Sequence, residues 1–351
     1  MSDAFRELLK KIGSGPHTGQ ALNREEAASA MRMMLLGEAT PAQIGAFSIA
    51  HRIKRPTGEE LAGMLDAYDE IGPQLGAIAG IEAIVLGVPY DGRSRTAPVT
   101  LLTALILANA GEWVVVHGGD RMPTKYGVPL IDLWQGLGID WRSLDLAQTQ
   151  AVFEKTGIGF VYVPAHFPEA ASLIPYREQI GKRPPIATLE LIWCPYAGKA
   201  QIVSGFVHPP TENMFREAFR LRGQAHFTTV KGLEGSCDLP RDRAAIVGVK
   251  QPERSPHDDL ERLLLHARDY GFSSVNVPLC SEAFLIEQMQ AIVKGEESDL
   301  LPSVLWNAGF YLWHRGIASN LEIGTQIAKE ALSEGQIAAK VGAIAEAVAA
   351  S

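Results

Sequence analysis

Residues 81–119 read IEAIVLGVPYDGRSRTAPVTLLTALILANAGEWVVVHGG, and their pattern decides the fold. The first eight are short, apolar and partly β-branched, as a buried strand requires. PYDG breaks the run. The stretch TAPVTLLTALILANAG is apolar almost all round, which a helix tolerates only when it is buried on every side. WVVVHGG is again strand-like. Strand, glycine-containing loop, buried helix and strand make a βαβ unit.

Towards the C-terminus the alternation continues, with IDLWQGLGI as a helix, GIGFVYVPA as a strand, and QIVSGFV, AHFTTVKG and AAIVGV as further strands. The prediction is an α/β fold with a mainly parallel sheet flanked by helices. NLEIGTQIAKEALSEGQIAAKVGAIAEAVAA reads as one Ala-rich helix or a helix pair covering that sheet. Towards the N-terminus the residues fall into short helices. Asn23 caps one that Gly37 stops, Thr40–Pro41 opens a second, and Thr57 with Glu60 makes a capping box for a third. The Pro-rich segment HFPEAASLIPYREQIGKRPPIATLELIWCP interrupts the α/β pattern and reads as a crossing between units. Two domains are expected: a small all-helical one from residues 1–76 plus about 168–194, and an α/β one from 77–167 plus about 195–351.

The chain of 351 residues is 46% hydrophobic and 21% charged, with a formal net charge of −8, which disfavours a polyanion as a global partner. Its three cysteines (Cys194, Cys237, Cys280) have no metal-ligand spacing and cannot all pair, which argues for a reducing compartment. No apolar run approaches the length of a membrane span, and the N-terminal residues lack a signal-peptide core, so a cytoplasmic location and no membrane partner are expected.

In a parallel α/β sheet, ligands sit beyond the carboxyl ends of the strands. Three loops there carry chemistry. The first holds Gly87, Asp91, Gly92, Arg93, Ser94, Arg95 and Thr96 ahead of a helix, a combination that suits phosphate or is a plain βα turn with surface arginines. The second holds His117, Gly118, Gly119, Asp120, Arg121, Thr124, Lys125 and Gly127. There Lys125 offers a point charge for phosphate, and His117 either binds substrate or caps backbone groups. The third places Glu234 and Asp238 after a strand, either as oxygen ligands for Mg²⁺ or as turn carboxylates.

Together these loops resemble those of the anthranilate phosphoribosyltransferase family. LLGEATPAQIGAFSIAHRIKRPTGEELAGMLDA is similar to its first helices and WNAGFYLWHRGIASNLEIGTQIAKEALSEG to its last. VVVHGGDRMPTKYG falls at its K-H-G-N…S-S-K-S-G segment, and IPYREQIGKRPPIATLE at its P-V-R-Q-Q-L-x-x-R-T-x-x-N segment. The resemblance covers nearly the whole chain. It implies a cytoplasmic homodimer of tryptophan biosynthesis, paired through the N-terminal helices, with Met33, Met34, Phe47 and His51 either on that face or, as Met and Phe at helical spacing more often are, in the core. It also implies Mg²⁺-assisted transfer of a phosphoribosyl group from phosphoribosyl pyrophosphate (PRPP) to the amine of a small aromatic acid, anthranilate by default.

Carried over residue by residue, the resemblance assigns Gly87, Asp91, Gly92, Arg93, Arg95, Thr100, His117, Gly118 and Lys125 to PRPP, Arg177 and His117 to the acceptor, and Glu234 and Asp238 to the metal. No covalent nucleophile is expected, so no catalytic residue is singled out. The sequence departs from the family at several of these places. G-T-G-G-D-G reads Gly87-Val88-Pro89-Tyr90-Asp91-Gly92, which removes an amide donor and adds bulk, and N-I-S-T reads Ala97-Pro98-Val99-Thr100. Val116 and Gly119 stand for a lysine and an asparagine, and the acidic D-E pair reads Glu234-Gly235. A similarly altered branch of paralogues implies a second possibility, nucleic-acid binding through a basic cleft lined by Arg93, Arg95, Arg121, Lys125, Arg177, Lys182 and Arg183.

Overall fold

The computed structural model describes residues 3–15, 17–251 and 260–351. Its N-terminal unit contains α1 (Asp3–Gly13), α2 (Arg24–Leu35), α3 (Pro41–Lys54) and α4 (Gly58–Ile71). Three of these start in full capping boxes, Asn23 with Glu26, Thr40 with Gln43, and Thr57 with Glu60, so the exposed amides of each first turn have local partners. The 174–180 helix packs on α3 and the 186–189 helix on α4, which brings the Pro-rich middle segment back to the first helices.

Among the described residues, seven strands form one sheet: β1 (Glu82–Leu86), β2 (Val114–Gly118), β3 (Ile158–Tyr162), β4 (Lys199–Gly205), β5 (Phe227–Val230), β6 (Ala245–Lys250) and β7 (Glu261–Leu265). Their order is β3-β2-β1-β4-β5-β6-β7, parallel from β3 through β5 and antiparallel at β5–β6 and β6–β7. Strand alternation divides the side chains between two cores. Ile84, Leu86, Val114, Val116 and Phe160 point to one face, where α5 (Thr100–Asn109) and the C-terminal helices cover them. Ala83, Val85, Val115 and Val161 point to the other and join the core of the N-terminal helices. The helical unit therefore shares its core with the sheet. Residues 100–108 are all buried, as an all-round apolar helix demands. The C-terminal stretch is a helix pair, Leu321–Ser333 and Gln336–Ala349.

Some expectations are corrected. The run expected to be strand through 165 turns helical at Val163, where Pro164 sits in a first helical turn. Met33, Met34, Phe47 and His51 are 7%, 1%, 2% and 1% exposed, so they belong to the chain's own core and present no free face. Among the described residues no helix is long and apolar enough to cross a membrane.

Candidate functional site

β1 is the turning point of the sheet. β2 lies on one side and β4 on the other, so the loops after β1 and β4 run apart and open a crevice beyond the carboxyl ends of the strands. The geometry of the β1 loop follows from its glycines. A Cβ on Gly87 would stand 2.2 Å from the Leu191 carbonyl oxygen, and Gly92, at φ +72°, would press one to 2.4 Å from the Gly127 backbone.

That loop is clamped from below by the two carboxylates of the third loop. Glu234 accepts hydrogen bonds from the backbone N–H groups of Ser94 (3.2 Å), Arg95 (3.0 Å) and Thr96 (3.0 Å) and from the Thr96 hydroxyl (3.0 Å). Burial works to raise its pKa, but these bonds together outweigh burial and hold it at about 2. Asp238 accepts from the Arg93 guanidinium, the Val99 N–H (2.9 Å) and the Thr100 hydroxyl (2.7 Å). Both carboxylates are sealed, with 3% and 1% of their side chains exposed. The expected Mg²⁺ pair at Glu234 and Asp238 does not fit this geometry, because each is filled by protein donors and one already balances a cation. Among the described residues no group of three or more His, Cys, Asp or Glu is arranged to hold a metal. Arg93 and Thr100 are likewise internal struts, whereas Arg95, with 78% of its side chain exposed, reaches solvent from this loop.

Above the clamp lies a cationic cluster. Asp91 is buried and neither carboxylate oxygen has a hydrogen-bond partner; among the described residues its cationic neighbours are Lys125 Nζ at 3.8 Å and Arg183 Nη2 at 3.7 Å. Lys125 is also 3.4 Å from the Gly92 carbonyl oxygen and 3.5 Å from that of Glu234, and burial lowers its pKa. Arg183 borders a groove of about 670 Å³ between the helical unit and the loop after β4, with Arg52, Arg55, His208 and Thr188 on its walls. Arg52 and Arg55 lie at the end of α3, so this groove was not visible from the strand-end loops alone.

On the other side of Asp91 the site becomes aromatic. Tyr90 is buried, and its hydroxyl shares a hydrogen bond of 2.5 Å with His117 Nδ1. Burial takes the His117 pKa down to about 3, so the imidazole is neutral at physiological pH. Gly118 ends β2 opposite Tyr162. Arg177, expected to face an acceptor carboxylate, is 4% exposed and directs its fork at a carboxylate within the chain: Nη1 donates to Glu190 Oε2 (3.2 Å) and Nη2 to Glu190 Oε1. Burial lowers its pKa to about 10, which leaves it cationic. Glu190, the internal partner of Arg177, was not anticipated from the sequence. Its signal was one acidic residue inside the apolar run ATLELIWC.

The seven basic residues proposed for a polyanion cleft do not converge. Arg93 and Arg177 are consumed internally, and Arg121 pairs with Asp132 and Glu282 on the surface. Arg95, Lys125 and Arg183 remain near the crevice, while Lys182 is exposed beside it.

Comparison with known proteins agrees with this architecture. Residues 6–72 match the helical bundle domain, and residues 91–338 the a/b domain, of a glycosyl transferase family. An anthranilate phosphoribosyltransferase of Bradyrhizobium sp. is 29% identical over 338 residues, covering 95% of this chain and 96% of that protein. One from Synechococcus sp. is 27% identical over 345 residues, covering 95% and 94%. Among solved structures, anthranilate phosphoribosyltransferase from Thermus thermophilus superposes with a TM-score of 0.79 at 21% identity over 99% of this chain and 100% of that one. The Saccharomyces cerevisiae enzyme in complex with PRPP and Mg gives 0.80 at 16% identity, over 99% and 98%. At these identities the structural likeness speaks for the fold. The two family matches span most of the sequence, and the chain belongs to the glycosyl transferase family that includes the anthranilate phosphoribosyltransferases.

Proposed function

We propose that this protein transfers a phosphoribosyl group from PRPP to the amine of a small aromatic acceptor and releases pyrophosphate. Family membership supports the reaction class. The observation that carries the reading for this chain is the arginine-lined groove between the helical unit and the loop after β4, whose Arg183 stands 3.7 Å from Asp91 in the β1 loop, with Lys125 at 3.8 Å from the same carboxylate. Arg52, Arg55, Arg183 and Lys125 would meet the donor's phosphate oxygens, where a guanidinium fork binds two oxygens at once. With the ribosyl carbon held at the Tyr90–Asp91 turn, the amine lone pair forms the C–N bond as the C–O bond to pyrophosphate breaks. Pyrophosphate leaves with that electron pair, and the nitrogen loses its proton to water. Positioning and neutralisation of charge on the leaving group are what such a displacement asks of a protein. Glu234 and Asp238 face inward and are filled by protein donors, so they offer a metal no open oxygen in this reaction.

Calorimetric titration with PRPP tests this proposal. Saturable binding is expected, weakened about tenfold or more by Arg183→Ala, which removes a charge-assisted contact. No heat at millimolar PRPP would overturn it. Saturable binding of an oligonucleotide in place of PRPP would favour a basic-groove binder instead.

A further inference from the structure

We infer that this chain takes its phosphorylated donor as the bare anion, with arginines supplying the positive charge that a divalent cation supplies in a carboxylate-lined site. The inference deepens the transfer reading above and rests on it. Magnesium keeps several of its waters and shares oxygen ligands between protein and phosphate, so it needs carboxylate oxygens that are open to the solvent side. The carboxylates around the crevice are closed instead. Glu234 and Asp238 are filled by backbone N–H groups, hydroxyls and Arg93. Glu190 accepts from both terminal nitrogens of Arg177. Asp120 accepts from the Tyr162 hydroxyl at 2.8 Å and lies 3.4 Å from Arg142 Nε. Asp91 is free of hydrogen bonds, but its side chain is 0% exposed and two cations already flank it, Arg183 Nη2 at 3.7 Å and Lys125 Nζ at 3.8 Å. A hydrated metal ion arriving there would meet like charge and no open oxygen.

The groove beside this crevice has the opposite balance. It is open and about 670 Å³ in volume, and its walls carry Arg52, Arg55, Arg183 and His208 but, among the described residues, no aspartate or glutamate. Counting Lys125, four fixed cations stand against the single carboxylate of Asp91, a surplus that a pyrophosphate group would balance. Arg55 is exposed and has no ion-pair partner among the described residues. It also stands at φ +67°, a backbone conformation that glycine takes freely and a side-chain-bearing residue takes only under strain. An arginine in that place gives up backbone ease and sets a guanidinium on the groove wall. Arg52 Nη1 donates to the Arg183 carbonyl oxygen, which ties two of the arginines together. Pro56 follows Arg55 and Pro184–Pro185 follow Arg183, so the backbone carrying these charges is stiff before a ligand arrives. Guanidinium forks placed in this way hold phosphate oxygens in pairs and neutralise the charge that builds on a leaving pyrophosphate.

Calorimetric titrations with PRPP, and separately with inorganic pyrophosphate, test this in EDTA and again in excess Mg²⁺. Both ligands should bind in EDTA at least as tightly as with Mg²⁺, because the metal masks ligand charge and carries a cation toward the arginines. Binding that requires Mg²⁺, or is tighter with it than in EDTA, overturns the inference and leaves the transfer reading standing. Arg55→Gly relieves the strained backbone, so the variant should keep the wild-type melting temperature while binding pyrophosphate in EDTA about tenfold more weakly, as the loss of one charge-assisted contact implies. Unchanged affinity in that folded variant contradicts the assignment. Pyrophosphate bound in EDTA with no binding of PRPP under either condition overturns the transfer reading and leaves the charge assignment of the groove in place. Binding of neither ligand overturns both.

Discussion

Glu234→Gln isolates the clamp under the β1 loop. The carboxylate takes three backbone N–H groups and one hydroxyl, and its pKa falls from an ordinary 4.5 to about 2. Linkage turns that difference into about 3 kcal/mol favouring the ionised over the neutral side chain in the folded state. Glutamine is a neutral isostere, so the variant should lose about 3 kcal/mol at pH 7, or about 4 °C in Tm for a chain this long. The pH dependence carries the sign. Because the folded pKa is depressed, the contribution is complete above pH 4.5 and is lost as pH falls through about 2. The gap between wild type and variant should be widest at neutral pH and close between pH 4.5 and 2. Thermal denaturation scans at fixed protein concentration across that range measure it. A Tm within about 1 °C of wild type at pH 7, or a gap that does not narrow in acid, would refute the clamp.

Other perturbations follow from the same contacts. Glu60, fully buried in the helical unit, is also held at about 2, its burial outweighed by His51, Lys54 and backbone donors, so wild-type unfolding in acid should show both α-helical and sheet signals falling below pH 4.5. Gly92→Ala must adopt φ +72° with a Cβ 2.4 Å from backbone, and should cost more than the roughly 1–2 kcal/mol of a left-handed residue alone, as read by thermal denaturation. Tyr90→Phe removes the hydrogen bond to His117 Nδ1 and should destabilise by about 1–2 kcal/mol in a chemical denaturation series.

The parts of the fold that local chemistry specifies were legible in the sequence. Asn23 with Glu26 and Thr57 with Glu60 are capping boxes three residues apart, and the apolar 100–108 helix declares its own burial. The antiparallel end of the sheet was not, because β7, ERLLL, is half exposed and its last pairing depends on β6. The site divides the same way. Glycines and basic residues could be placed at strand ends, but Arg93 meets Asp238 across 145 residues, and Arg177 meets Glu190 only because the 174–180 and 186–189 helices fold together. Which cations remain free is a property of tertiary pairing, and no spacing rule contains it.

The most direct measurement of the central claim is product formation. The protein incubated with PRPP and a panel of aromatic amines, neutral ones included, should release pyrophosphate and form an N-phosphoribosyl amine in equal amounts, detected by mass spectrometry. The rate should fall in Arg183→Ala. No pyrophosphate above the protein-free control with any amine, under conditions where PRPP binds, would contradict the account.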